Sequence, residues 1–312
     1  MTLQPRVSVV VPAYNVRTYI EDALISLERQ SMTAFEVLVV DDGATDGTQE
    51  LVTPFCERDQ RFKLLHKENG GLSSARNYGI RHARAPYIAL LDGDDLYEPD
   101  KLATHVTMLD SQPEIGVVYS ASRVIRDDGN PTLMSLSGKP IDPDPLVALL
   151  YKNFIGHGSN AVFRRLLVQE VGEFDENLKS SEDLDFWLRI AILNRWRFYR
   201  EPKLLCGYRV RPSGLSFNVL QMERCTQKVL ELAYRRAPER VGPFLPTARA
   251  YLYRYLARVS LASGDMLEAR RWLDLAIKED ASIFSRDIRS FITMMAVYLA
   301  PLSRPTIRWL LK

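Results

Sequence analysis

Three carboxylates within four residues, Asp92, Asp94 and Asp95 of the segment LLDGDD, close an apolar run that reads as a strand. Packed this tightly they repel and raise one another's pKa unless a cation neutralises them. An all-oxygen donor set favours Mg2+ or Mn2+, and Mg2+ takes one or two protein carboxylates and fills its shell with phosphate oxygens and water. The plain alternative is an acidic turn before the helix that starts near Pro99. Asp41 and Asp42 close a second apolar run, VLVV, just before Gly43. Carboxylates there can accept hydrogen bonds from a nucleobase imide or from ribose hydroxyls, or can simply shape a turn. In NGGLSSARNYGIRHA, Gly70 and Gly71 leave the backbone pliable, Ser73 and Ser74 open a helix, and Arg76 follows in its first turns. That combination suits a phosphorylated ligand. A further acidic pair, Glu182 and Asp183 in SSEDLDFWLR, starts a helix anchored by Phe186, Trp187, Leu188 and Ile190. A carboxylate held this rigidly can act as a general base, although Ser181 followed by acids is also an ordinary helix start. Neither a P-loop nor a dinucleotide-binding G-x-G-x-x-G occurs in the chain, which argues against ATPase and dehydrogenase readings.

The elements that must position these groups alternate between short β-rich runs and amphipathic stretches, as in a mainly parallel sheet covered by helices. Strands are expected at 7–11, 35–40, 62–66, 87–91 and 116–120, and the first four run into PAYN, DDGATDGT, KENGG and DGDD. Ligands of open α/β sheets bind outside the carboxyl ends of the strands, so these four segments should line one crevice. Residues 18–29 read as a helix with Ile20, Leu24 and Leu27 on one face, and Thr45-Asp46 caps the next helix. Residues 182–193 read as a buried helix and 197–209 as a strand region. The composition turns helical near Phe217, which places a domain boundary at about residue 218: a catalytic domain over 1–218 and a helical domain over 219–312.

Taken in order, VSVVVPAYN, VVDDGATDGT, NGGLSSARNYGI, LLDGDD, VGEFDENL and SEDLDFWLR resemble the family 2 glycosyltransferases with the GT-A fold, over about residues 5–218. The resemblance implies an inverting, Mn2+- or Mg2+-dependent transferase that takes a nucleotide-sugar donor, most often a UDP-sugar. It implies that Pro12, Ala13 and Tyr14 line the nucleoside pocket, that Asp41 or Asp42 binds the base, with Asp42 preferred, and that Arg76 helps hold the nucleotide. Asp92 would face the ribose and metal, Asp94 would be the main metal ligand, and Asp183 would be the catalytic base with Glu182 as its neighbour. The acceptor is expected to be a glycan or lipid-linked hydroxyl in cell-surface polysaccharide synthesis. One departure stands out: the family often carries a Tyr-Arg-x-His segment after the last strand, where this chain has YRVRPSGLS. Arg211 replaces the imidazole. It cannot serve as a metal ligand in the ordinary way but can pair with phosphate oxygens, and Arg209 and Ser213 are candidates for a mobile loop over the donor. His157 lies where such enzymes begin their acceptor-facing region; His66, His82, His105 and Trp187 read as structural. A sugar-phosphate nucleotidyltransferase would be expected to open with a Gly-rich basic loop, which VVVPAYN is not. A catalytically weak scaffold acting through the helical tail is the other alternative.

Composition agrees with a catalytic domain of this kind. The 312 residues hold 41 Lys+Arg against 39 Asp+Glu, so no basic excess points to nucleic acid. Cys56, Cys206 and Cys225 are far apart and lack metal-ligand spacing, as expected of reduced thiols in the cytoplasm. The N-terminus shows no signal-peptide pattern, and the longest apolar run, 291–302, contains Pro301 and is too short to span a bilayer. In the helical region, 250–281 is spaced like one tetratricopeptide helix pair, a single copy of which makes no solenoid. From residue 286 to 312, five basic residues (Arg286, Arg289, Arg304, Arg308, Lys312) stand against Asp287, interleaved with Phe291, Trp309 and other apolar residues. This tail is expected to touch an anionic bilayer, at the inner face of the cell membrane, without crossing it. Packing of Ile292, Met295 and Leu299 on the preceding helices is the alternative.

Overall fold

β1 (Val7–Ala13), whose valines supply the apolar surface and whose Ser8 is satisfied by Glu36, is buried along its whole length, as in a strand covered on both faces. It heads a parallel half-sheet, described in a computed structural model that covers residues 4–211 and 218–299. The chain continues through α1 (Ile20–Glu28), β2 (Phe35–Asp41), α2 (Thr48–Arg58), β3 (Phe62–His66), α3 (Leu72–His82) and β4 (Tyr87–Leu90). The four strands lie in the order β3-β2-β1-β4, all parallel, with Val7 opposite both Phe35 and Tyr87. The order therefore reverses at β1. A crevice opens at such a switch point, beyond the carboxyl ends of the strands, and there the chain carries Asp41-Asp42 at the end of β2 and Asp92 after β4.

The sheet goes on with β5 (Leu96–Tyr97), α4 (Lys101–Ser111), β6 (Ile115–Ile125), β7 (Pro131–Leu136), β8 (Val162–Arg164), α6 (Leu166–Val171), α7 (Glu182–Leu193) and β9 (Arg197–Arg209); α5 (Pro145–Tyr151) falls between β7 and β8. β8 is antiparallel to both β4 and β6, whereas β9 runs parallel to β6 and antiparallel to β5. The result is a mixed α/β architecture, parallel through β3-β2-β1-β4 and followed by helices. Register matters at one end: Arg209 pairs with Ile125 and Gly207 with Leu96, which brings the end of β9 beside the DGDD loop.

The chain forms two compact units, residues 4–139 with 155–211 and residues 140–154 with 218–299. A single boundary at about residue 218 does not describe this division. α5 buries Leu146, Val147, Leu149 and Leu150, and Tyr151 at its end meets the rings of Phe244 and Tyr251 at 6.3 and 5.2 Å, so this short helix belongs with the helical unit. That unit adds α8 (Val219–Arg236), α9 (Pro238–Val241), α10 (Leu245–Ser263), α11 (Met266–Asp280), α12 (Ile283–Arg286) and α13 (Ile288–Leu299). α10 and α11 form a hairpin closed by Gly264 at φ +87°, a left-handed turn that other residues adopt at a cost, and Asp265 then caps α11. Small residues Ala257, Ala269 and Ala276 let the two helices approach, and Tyr253 stacks on Trp272 at 5.7 Å. No helix among the described residues is long and apolar enough to cross a membrane.

Candidate active site

The DGDD loop is pinned from below. The Asp92 amide donates to Ser159 Oγ at 3.0 Å, and the same hydroxyl donates to Asp95 Oδ2 at 2.6 Å. Asp95 also accepts the Arg209 amide at 2.9 Å, so this third carboxylate, fully buried, clasps three chain segments together. Gly93 is closely packed, since a Cβ there would sit 3.0 Å from the Val16 side chain. Of the three acids, Asp92 and Asp94 therefore remain at the crevice, with side chains 25% and 17% exposed. Burial, together with repulsion from Asp95 and Asp92, pushes the Asp94 carboxyl up to about 7, and Arg211 opposes this.

Arg76 connects this loop to α7. Its guanidinium donates to Asp92 Oδ1 at 2.7 Å and to Glu182 Oε1 at 2.5 Å while only 1% exposed. Room for it is made by Gly158, where a Cβ would sit 2.3 Å from Arg76 Nη2, and by the tight fit of α3 on the sheet at Gly79. Burial opposes the guanidinium charge, but Asp92 and Glu182 outweigh it, and Arg76 stays a cation. Both amino groups of Arg76 are committed to carboxylates, so any help it gives in holding a nucleotide runs through Asp92 and Glu182. Burial raises the Glu182 carboxyl, with Arg76 pulling it back down and Asp183 adding to the rise. Asp183 is half-buried at the first turn of α7 and accepts the Leu184 amide at 2.7 Å. α7 itself is fixed by Phe186, stacked on Phe174 at 4.5 Å, and by Trp187 against Phe163 at 5.7 Å. Ser181, which leads into it, has φ +59°, a left-handed conformation that a serine holds only when its surroundings impose it.

On the other side of the crevice Asp42 accepts Lys67 Nζ at 2.6 Å and the amides of Gly70 and Gly71 at 3.0 and 2.8 Å. Asp41 accepts the Ala44 amide and Gln49, and lies 3.1 Å from His66 Nδ1. Both carboxylates are buried. In this state they shape the loops of the pocket wall, Asp42 by clamping the turn into α3, and present little oxygen surface to a base. Pro12 and Ala13 are buried at the end of β1, whereas Tyr14 is half exposed. His66, read as structural, sits at the pocket edge through Asp41.

Arg211 pairs with Asp94, Nη2 to Oδ2 at 2.5 Å, and stands over the Tyr19 ring at 4.9 Å. Arg209 is not part of a mobile loop. It is buried in β9, donates to the carbonyls of Asp94 and Asp127 at 2.7 and 2.6 Å, and meets Asp22 at 3.1 Å. Ser213 lies outside the described residues. His157 is buried, bonded to Ser122 Oγ at 2.9 Å, stacked on Tyr208 and 3.4 Å from Asp95. Burial works against its charge, yet Cys206 and Asp95 push its pKa up to about 10. It braces the loop from inside. Ser159, Asn160 and Lys101 were not legible as site residues: Lys101 Nζ, fully buried, donates to the Asn160 carbonyl at 2.5 Å and so anchors the segment that holds Asp92.

Among the described residues no three His, Cys, Asp or Glu side chains converge as a ready-made metal cage. Asp92 and Asp94, two hard oxygen donors flanking Gly93 with an excess of negative charge around Asp94, nevertheless fit a divalent cation whose other ligands come from a diphosphate and water.

Comparison with known proteins gives the family and supports the fold. The model of glycosyl transferase family 2 matches residues 8–172, and the chain belongs to that family. A Bacillus subtilis (strain 168) protein described as an uncharacterized glycosyltransferase, EpsJ, is 35% identical over 219 residues, which cover 68% of this chain and 63% of EpsJ; the chain thus spans under two-thirds of that relative. Among solved structures, the mannosyltransferase PcManGT from Pyrobaculum calidifontis, in complex with GDP-Man and Mn2+, superposes with a TM-score of 0.65 at 25% identity over 98% of this chain and 83% of its own. Residues 1–349 of S. aureus TarS in complex with UDP share the fold, with a TM-score of 0.56 at 21% identity over 89% of this chain and 90% of theirs.

Proposed function

We propose that this glycosyltransferase is inverting and moves a sugar from a nucleotide-sugar, a UDP-sugar foremost, to a hydroxyl of a glycan or lipid-linked acceptor in cell-surface polysaccharide synthesis. The observation that carries the reading is the Asp92–Arg76–Glu182 bridge, which ties the donor-side loop to the first turn of α7 and so fixes the Asp183 carboxylate relative to Asp92 and Asp94. Asp183 removes the acceptor proton as the hydroxyl attacks the anomeric carbon from the face opposite the nucleotide. Pro12, Ala13 and Tyr14 with the Asp41-Asp42 wall receive the nucleoside, and Arg211 meets the phosphates. Asp94 and Asp92 are the residues that would hold Mn2+ or Mg2+, which when bound stabilises the charge on the departing diphosphate as a Lewis acid. No second carboxylic acid is then needed, in contrast to glycoside hydrolysis.

Supporting observations come from two relatives of the fold: PcManGT binds GDP-Man with Mn2+, and TarS binds UDP. The test is a panel of UDP-sugars with GDP-mannose alongside, incubated with Mn2+ or Mg2+ and a hydroxyl acceptor, and read as free nucleotide. Turnover of at least one donor, lost with EDTA, supports the reading; release from none, or release indifferent to EDTA, counts against it.

The site of action we infer is the cytoplasmic face of an anionic membrane. α13 supports this: Ile288, Phe291, Ile292, Met295 and Leu299 form an exposed stripe along it, while Ser290, Thr293, Ala296 and Val297 pack inward. Arg286 and Arg289 flank the stripe. The further tail residues Arg304, Arg308, Trp309, Leu310 and Lys312 lie outside the described residues.

A further inference from the structure

Asp94 needs a positive partner, and the chain itself supplies one. Its carboxylate is mostly buried beside Asp92 and Asp95, so leaving it unpaired would be costly. Of the cations near it, Arg76 is spent on Asp92 and Glu182, and Arg209 on three backbone carbonyls and Asp22. Arg209 reaches Asp94 only at its carbonyl oxygen, which carries no net charge. Among the described residues Arg211 alone makes the ion pair, at 2.5 Å, with its guanidinium 24% exposed against the Tyr19 ring. The Tyr19 hydroxyl donates to Asp127 at 2.6 Å, while its ring lies beneath the guanidinium. The Arg211 Nε is buried and finds no hydrogen-bond partner. A guanidinium with one donor unsatisfied and one face on solvent is poised to exchange its carboxylate for an acceptor richer in oxygens, and a diphosphate is such an acceptor.

We infer that Arg211 is a built-in counter-cation of the DGDD loop, holding Asp94 against a divalent metal until a nucleotide diphosphate draws the guanidinium onto its phosphate oxygens. Guanidinium and metal compete for the same carboxylate, and a doubly charged ion approaching Asp94 must also approach Arg211. Metal alone therefore binds weakly. Once phosphates neutralise Arg211 and offer their own oxygens, Asp94 is released and metal and nucleotide bind cooperatively. An imidazole at this position would do the reverse, since it joins the metal's ligands instead of opposing the metal. This inference rests on the metal role proposed above for Asp94.

The experiment measures Mn2+ binding to the full chain by calorimetry and by the loss of free-Mn2+ electron spin resonance, first without nucleotide and then with saturating UDP or GDP. Arg211→Gln is expected to bind Mn2+ alone about fivefold more tightly than the wild type, the scale of one partly exposed ion pair. Nucleotide is expected to tighten Mn2+ binding to the wild type more than to the variant, narrowing the gap. Arg211→His, which adds a ligand as well as removing the cation, is expected to bind Mn2+ alone at least as tightly as Arg211→Gln, and it carries the comparison if the glutamine variant fails to melt cooperatively. Equal Mn2+ affinity of wild type and both variants without nucleotide overturns the inference while leaving the metal role standing. Absence of Mn2+ binding to every form, with nucleotide still bound, overturns both.

Discussion

Arg76 donates to Asp92 with one amino group and to Glu182 with the other, joining residues that stand far apart in the chain through a single buried guanidinium. Removing it strands two carboxylates in a low-dielectric setting. Arg76→Met is expected to cost about 3–5 kcal/mol of stability, as breaking a buried ion pair does. Arg76→Lys keeps the charge but not the fork, so its melting temperature should recover partly while turnover stays low. Thermal melts and turnover of the two variants check this; a methionine variant as stable as the wild type would refute the bridging role.

Asp183→Asn is expected to lower turnover by a factor on the order of 10²–10⁴, the usual worth of a positioned base. Nucleotide affinity should stay within a few-fold, because the amide keeps the shape of the carboxylate and the donor subsite is elsewhere. Steady-state kinetics with parallel nucleotide titration separates the two effects. Retention of most of the turnover would remove Asp183 from the reaction.

Lys152 should make the helical unit more stable as pH rises. Burial, with Arg289 and Arg254 beside it, pulls its pKa from 10.5 down to about 8. The folded chain thus binds fewer protons than the unfolded one between those values, and unfolding free energy increases with pH there. The contribution is complete above 10.5 and lost as pH falls through about 8. Lys152→Met should abolish this slope and stabilise the chain near pH 7 by on the order of 1–2 kcal/mol, measured by urea melts at a series of pH values.

The apolar stripe on α13 leads to a test that spares the core. Deletion of residues 286–312 would remove Ala296 and Val297 from the packed interior and confuse docking with folding. Replacing exposed Ile288, Ile292 and Met295 together by Ser should leave the melting temperature within a few degrees, since exposed positions contribute little. Sedimentation with anionic vesicles at low salt should fall at least severalfold, each buried methylene being worth about 0.8 kcal/mol. Unchanged sedimentation, or none by the wild type, would refute docking through this face.

Much of the sheet was legible because its signals are local. Val7–Val11 and Phe35–Val40 are branched runs that end in polar turns, and Phe186-Trp187 sits at helical spacing inside an apolar segment, so propensity and pattern agree with the fold. The acids of LLDGDD and SEDLD could be singled out for the same reason: several like charges in so few residues require a cause. The sequence also marked LLDGDD and the Asp41-Asp42 segment as parts of one crevice, because both follow strands at one sheet edge. Tertiary structure alone decided how the charges are shared. Three acids in DGDD look equivalent in the chain, but the parallel register of β9 on β6 delivers the Arg209 amide to Asp95 and Arg211 to Asp94, turning one acid into a clasp and another into half of an ion pair. Arg76 stood out in the sequence only as a cation at a helix start; the fold makes it an internal bridge, with Glu182 on one amino group and Asp92 on the other. Ser159 and Lys101 carry no motif at all. Their importance comes from desolvation: a buried polar loop must find every partner inside the protein, and which residues supply those partners is fixed by three-dimensional packing, which has no counterpart in linear spacing.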